Sequence, residues 1–371
     1  MVACPVPPEE EAKGSGTSSS TSMVVRSSSD SGSSGTGTSA ASHVNSDRYD
    51  IALTTGNALV VDRVKPGHAE TVLELTAHRV VHRPAWSPTG TRIAYSTEAY
   101  QDYYSSNYAS GQVVIHDLET SVQVAAFPGA RPAWSADGSR LAAFHGEELR
   151  VYDMALGQAT ILDRLWPWDG ARWDPVSPTR LAYLQCRFFA GCDLVLQDDA
   201  SGTFQRSVLS EVALGFAWSS TGDALAYASP GQYFLDPHYG TGYNMMDVVM
   251  KRLDPPAEPV TLISDTGMLD QLAWSPDGTH VAYTVHHHLY SVAVSEGTVV
   301  PGPSLQAAVL LDRPVHDLAW SPDGRYLAYC TVGDDNHVTM SLFDPALGSV
   351  VQEVRHPGGA EVIGLSIKSA P

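Results

Sequence analysis

One short phrase occurs six times in this 371-residue chain. It reads Ala85-Trp86-Ser87-Pro88-Thr89-Gly90 with Ile93-Ala94-Tyr95, then Ala133-Trp134-Ser135-Ala136-Asp137-Gly138 with Leu141-Ala142-Ala143-Phe144. A degenerate copy, Arg172-Trp173-Asp174-Pro175 with Leu181-Ala182-Tyr183, precedes Ala217-Trp218-Ser219-Ser220-Thr221-Gly222 with Leu225-Ala226-Tyr227. The two cleanest copies come last. They are Ala273-Trp274-Ser275-Pro276-Asp277-Gly278 with Val281-Ala282-Tyr283, and Ala319-Trp320-Ser321-Pro322-Asp323-Gly324 with Leu327-Ala328-Tyr329.

The chemistry of the phrase predicts a hairpin. Proline pre-sets φ at the second turn position, Asp suits the third, and Gly accepts the positive φ that closes the turn. Apolar alternation before and after it reads as two short strands. The Trp and Tyr rings are broad surfaces suited to packing one twisted sheet on the next, so most of these aromatics are assigned to the scaffold. Successive tryptophans stand 39 to 56 residues apart, the period of a propeller blade.

On these residues the chain resembles the TolB-like propeller repeat, which is related in architecture to the WD-repeat proteins. Third strands ending in Asp fit the same pattern: Val113-Val114-Ile115-His116-Asp117, Leu149-Arg150-Val151-Tyr152-Asp153 and Met340-Ser341-Leu342-Phe343-Asp344. The Gly-His and Trp-Asp marks of the WD class are absent, which favours the TolB-like kind. The resemblance covers roughly residues 49 to 368 and speaks to fold more than to function.

Residues 49–75 read as the second, third and fourth strands of a blade lacking its innermost strand. The C-terminal Glu361-Val362-Ile363-Gly364-Leu365-Ser366-Ile367 mimics His316-Asp317-Leu318-Ala319-Trp320, with Ile367 in the tryptophan position. The expected fold is therefore all-β, a seven-bladed propeller of four-stranded antiparallel blades closed by strands from both termini, with six blades as the alternative. Closure removes most exposed strand edges. Residues 1–47, rich in Ser, Gly and Thr, are expected to form a disordered tether, and residues 48–371 a single propeller domain.

A net charge of −19 argues against nucleic acid, since no basic stripe exists to neutralise phosphates. No apolar run approaches the ~18 residues that would span a bilayer, and the first thirty residues lack a signal-peptide apolar region. Val2-Ala3-Cys4 has two readings, the end of a bacterial lipobox with Cys4 lipidated, or a chance cysteine in a tail. Cys186 and Cys192 flank Arg187-Phe188-Phe189-Ala190-Gly191, and a hairpin there would bring them within bridging distance. Such a disulfide would indicate an oxidising compartment. Cys330 reads as a small buried hydrophobe.

Two groups of residues are candidates for function. In a propeller, connections between second and third strands share one end of the ring with the links between blades. That geometry gathers Tyr100, Tyr103, Tyr104, Tyr108, Trp166, Trp168, Phe188, Phe189, Tyr233, Phe234, Tyr239 and Tyr243 on one face, with His238 and His286-His287-His288 nearby. Exposed aromatics gathered this way favour a partner; the opposing reading folds each insertion onto its own blade. At the start of the innermost strands lie His82, Arg83, Arg131, Asp169, Asp270, Gln271, His316, Asp317 and Glu361, at the mouth of the central channel. These mixed charges either hold a small polar ligand or a metal, or satisfy one another around water, the last being preferred.

No hydrolase elbow, Walker loop, dinucleotide fingerprint or His-Glu-x-x-His occurs. The leading expectation is a non-enzymatic, monomeric binding scaffold of the bacterial cell envelope, periplasmic or lipid-anchored. A protein is its main partner and a glycan the second, with no cofactor and no metal. The resemblance implies interaction with other proteins in the periplasm, although the N-terminal α/β domain of the Tol-system members is replaced here by the tether. The alternative comes from propellers of similar kind that are metal-dependent sugar-acid lyases. On that reading His82, Gln271 and His316 would hold the metal, and Arg83 and Arg131 the substrate carboxylates.

Overall fold

The computed structural model describes residues 48–97, 111–164, 170–187, 191–200, 205–212, 215–235, 242–264, 269–285, 288–294, 309–310, 315–357 and 364–369. Every regular element among them is a β-strand, and they form seven blades of four antiparallel strands. Blade 1 takes the later half of His68–Trp86 and continues through Arg92–Thr97, Gln112–Asp117 and Val122–Pro128. Blades 2 to 6 begin at Ala130–Trp134, Arg172–Trp173, Phe216–Trp218, Leu269–Trp274 and Val315–Trp320.

The seventh blade is the composite expected from the sequence. Leu365–Ser369 is its innermost strand, paired with Tyr49–Thr54 in the register Ile51↔Ile367 and Tyr49↔Ser369. Gly56–Lys65 and the early half of His68–Trp86 complete it. That 19-residue strand serves two blades in turn.

Each Ser of the phrase explains why its turn is so constant. Ser87, Ser135, Ser219, Ser275 and Ser321 are all buried. Each hydroxyl accepts the N–H of the residue five positions on (Arg92, Arg140, Ala224, His280 and Tyr326) at 2.9 to 3.1 Å. Where Asp follows two residues later the same hydroxyl donates to it, as Ser135 does to Asp137, Ser275 to Asp277 and Ser321 to Asp323. A buried hydroxyl thus uses both its donor and its acceptor capacity. The closing glycines hold φ between 70° and 73°, where a side chain is strained. In blade 3 Asp174 replaces Ser, accepts the N–H groups of Val176 and Ser177, and pairs with Arg180.

The core lies in the seams. Seven apolar clusters occur among the described residues, one between each pair of neighbouring blades. Tyr183, Tyr227 and Tyr283, from the second strands, are wholly buried there, and burying side chains of this size contributes roughly 1.5–3 kcal/mol each.

The tryptophans add a directional bond. The indole N–H of Trp86 donates to Ser366 O (3.2 Å), Trp173 to Ala133 O (3.1 Å), Trp218 to Arg172 O (2.9 Å) and Trp320 to Ala273 O (3.2 Å). In every case the acceptor directly precedes the tryptophan position of the preceding blade. Ser366 precedes Ile367, so Ile367 occupies that position in space as well as in sequence. The indole nitrogens of Trp134 and Trp274 are buried without such a partner.

This difference predicts a split among Trp→Phe variants. Substitution at Trp86, Trp173, Trp218 or Trp320 is expected to cost about 1 kcal/mol more than at Trp134 or Trp274, because only the former lose a hydrogen bond. Urea unfolding midpoints of the six variants would show it; equal costs would mean that the indoles act by bulk alone.

Candidate functional site

Antiparallel alternation puts the Ser-Pro-Asp-Gly turns at one end of the ring. The connections between second and third strands, with the links from each fourth strand to the next blade, lie at the other end. Residues 98–110, 165–169, 188–190, 236–241 and 286–287, which join strands ending there, are outside the described residues. Tyr100, Tyr103, Tyr104, Tyr108, Trp166, Trp168, Phe188, Phe189, His238 and Tyr239 therefore fall outside the described residues, as do Cys4, Asp169, His286, His287 and Glu361.

Tyr233, Phe234 and Tyr243, read from the sequence as part of a connection, belong to strands instead. Blade 4 extends its second and third strands to Ala224–Leu235 and Gly242–Arg252, with Tyr233 opposite Asn244 and Phe234 opposite Tyr243. Aromatic residues favour the pleated conformation, and a bulge between Pro230 and Tyr233 lets the hairpin continue past the proline. His288 likewise opens a strand, opposite Val285.

Cys186 and Cys192 are direct cross-strand partners in the blade 3 hairpin and are joined as a disulfide. The bridge closes the loop that carries Phe188 and Phe189. Cys330 is a free, buried thiol whose pKa is pushed well up by burial.

The innermost strands enclose a cavity of about 420 Å³. Arg83, Arg131, Gln271, His316 and Asp317 line it together with Arg172, Trp86, Trp134 and Trp173. His82 and Asp270 lie on strands whose side chains at those positions are outside the description.

Asp317 is the most engaged residue of the mouth. Its carboxylate takes a two-pronged contact from Arg83, one prong being Nε to Oδ2 at 2.8 Å, and Arg83 also donates to Leu318 O (3.1 Å). The same carboxylate accepts the N–H of Leu365 at 2.9 Å and of Leu318 at 2.9 Å. One side chain of blade 6 thus binds the closing strand and reaches past it to blade 1. Gln271 donates to His316 O at 3.2 Å, tying blade 5 to blade 6. Among the described residues no three His, Cys, Asp or Glu side chains converge as metal ligands.

Arg131 holds a left-handed backbone, φ 57°, with its N–H donated to Ser96 Oγ at 2.8 Å. A non-glycine residue there costs about 1–2 kcal/mol, and such strain persists where the surroundings enforce it. Arg172 was not singled out in the sequence, although a signal was present. Blades 1, 2, 4, 5 and 6 place Ala85, Ala133, Ala217, Ala273 and Ala319 just before tryptophan; blade 3 places arginine. Its guanidinium stands 4.6 Å from the Phe216 ring centroid and donates to Phe216 O.

A second cavity, about 620 Å³, opens at the turn end between the closing blade and blade 1. Asp50, Arg63, Pro88, Thr89, Leu118 and Lys368 line part of it. Asp50 is held there by Arg63 (2.9 Å) and Lys368 (2.9 Å), and the Lys368 ammonium lies 4.8 Å from the centre of the Trp86 ring. It too was not anticipated, because its walls come from both ends of the chain.

A search of curated protein sequences found no significant match. The family model described as WD domain, G-beta repeat matches residues 308–340, from the last strand of blade 5 into the third strand of blade 6. The β-propeller domain of Cps50 (Swd1) from Myceliophteria thermophila superimposes with a TM-score of 0.54 at 16% identity, covering 75% of this chain and 87% of that one. Dihydro-heme d1 dehydrogenase NirN, in complex with DHE, gives 0.51 at 12% identity over 86% and 75%. TolB from Acinetobacter baumannii gives 0.49 at 15% identity over 88% and 67%. The first two likenesses show the propeller fold alone.

Two consequences are measurable. Replacing Asp317 by Ala strips partners from Arg83 and Leu365 together. It should cost about 2–3 kcal/mol, below the ~3–5 of a fully buried pair because the Arg83 side chain is 40% exposed. A lowered urea midpoint would register it. Burial holds the imidazoles of His116, His145 and His316 below their usual pKa, the carboxylates of Asp117, Glu148 and Asp317 opposing in part. A depressed histidine is neutral in the fold while the unfolded chain protonates, so stability should decline as pH falls below about 6.5. Unfolding midpoints at pH 7.5 and 5.5 test this; a flat profile would contradict it.

Proposed function

We propose that this β-propeller is a non-enzymatic protein-binding scaffold of the bacterial cell envelope. The observation that carries the reading is the asymmetry between the two ends of the ring. At the turn end the Ser hydroxyls and Asp carboxylates are spent on the turns themselves. The connections between second and third strands belong to the opposite end, and on the sequence reading they carry Tyr100, Tyr103, Tyr104, Tyr108, Phe188, Phe189 and Tyr239. Rigid rings at the edge of a rigid ring give contact area at little entropic cost. A glycan is the second kind of ligand such a rim accommodates.

Cysteine chemistry supports the choice of compartment. A bridge between Cys186 and Cys192 persists where thiols are kept oxidised, which supports the envelope over the cytosol. No helix among the described residues is long and apolar enough to cross a membrane.

The test compares two surfaces of one protein. A variant with Phe188, Phe189, Tyr103 and Tyr104 all changed to Ser is expected to lose its captured envelope protein at least tenfold. Hot-spot aromatics contribute about 2 kcal/mol or more each. The control Leu347→Ser alters an exposed apolar residue in a turn between third and fourth strands and should leave capture intact. Equal capture by both would remove the rim from consideration.

A further inference from the structure

We infer that the channel mouth binds a small oxyanion, with Arg131 the residue held in place for it. This goes beyond the rim reading and does not depend on it.

The charge pattern comes first. Acidic residues outnumber basic ones 41 to 22 in the chain, yet in the described wall of this cavity three arginines, Arg83, Arg131 and Arg172, face one carboxylate, Asp317. Among the described residues of this wall the balance of charge is the reverse of the chain's, and the wall is concave, where low-dielectric surroundings concentrate the field. Gln271, His316 and Ser366 add polar groups to the lining, and Trp86, Trp134, Trp173 and two prolines add apolar ones. A cavity near 420 Å³ with a few convergent polar groups has the size of a small-ligand site.

The backbone supplies the second observation. Arg131 keeps a left-handed conformation that glycine would adopt without strain. Its amide is fastened to Ser96 of the neighbouring blade, so the strain is enforced across a seam. A strained residue whose side chain lines a cavity is explained if the side chain, and not the backbone, is what the site requires. The other two arginines are fixed by contacts already described, Arg83 through Asp317 and Arg172 through Phe216. Each of the three has partners within the ring. A guanidinium carries five N–H donors, so those contacts are compatible with an added oxyanion, and the planar fork matches its paired oxygens.

The oxyanion is either free in solution or borne on a partner as an acidic side chain. Calorimetric and tryptophan-fluorescence titrations of the full chain at low salt, in a buffer without carboxylate or phosphate, separate these sources. The probes are citrate, inorganic phosphate and an N-acetylated tetraglutamate amide, with spermidine as cationic control. Saturable binding of at least one anion is expected, weakened tenfold or more in Arg131→Gly, while that variant unfolds at an unchanged or higher urea midpoint. Citrate or phosphate binding alone assigns a free anion; peptide binding assigns a partner's acidic group. No anion bound by the parent chain would mean that the guanidiniums are satisfied within the ring, and the inference fails. It fails equally if Arg131→Gly binds as the parent does, or if its urea midpoint falls, since Arg131 would then be structural.

Discussion

The architecture depends on one strand of five residues. A propeller blade has no core of its own, and its apolar faces are buried only against its neighbours. An open ring would therefore leave two faces and two edges in water. Leu365–Ser369 prevents this, and the surroundings bind it from every side. Tyr49–Leu53 pairs along it, Asp317 accepts the N–H of Leu365, Trp86 donates to Ser366, and Lys368 reaches Asp50. Thr54 and Gly364 exchange bonds across 310 residues of sequence. Because these contacts join the two ends of the array, the composite blade is the one that covers both faces an open ring would expose.

The ring was legible in the sequence because its repeat is chemical. Ser, Asp and Gly each occupy a position whose hydrogen bond or φ demands them, so their spacing exposes the turns and the turns expose the blades. Even the closing strand was readable, since Ile367 stands where a tryptophan would. Less legible was which indoles would find a carbonyl. Trp134 and Trp274 sit in copies of the phrase at least as well kept as that of Trp173, yet their nitrogens lack the partner that Trp173 has. That outcome depends on small differences in how neighbouring blades approach, which no local pattern encodes.

The candidate site was legible in part. Residues at the start of the innermost strands were placed at the channel from their offset to tryptophan, and Arg83, Arg131, Gln271, His316 and Asp317 do line one cavity. Their partners were not readable. Arg83 and Asp317 are 234 residues apart, and the acceptor for Gln271 is a backbone carbonyl that carries no sequence signal. Alternation alone does not say that the hairpin of Tyr233 and Tyr243 would lengthen into strand, nor that Arg131 would turn left-handed. Arg172 is a different case. An arginine amid five alanines was visible, but the tryptophan beside it drew the position into the scaffold.

The pairing of Tyr49 with Ser369, and the bond from Tyr49 to Asp323 at 2.6 Å, give the ring an orientation. Tyr49 and Ser369, the outer ends of these two strands, lie together at the turn end with Asp323. A tag, bead or lipid joined ahead of Tyr49 or behind Ser369 is therefore attached on the far side of the disc from the channel mouth. Held by either strand, the molecule stands with its turns toward the support and its guanidinium-lined opening toward the surroundings. Surface immobilisation through either of those strands thus leaves the mouth accessible to whatever is passed over it.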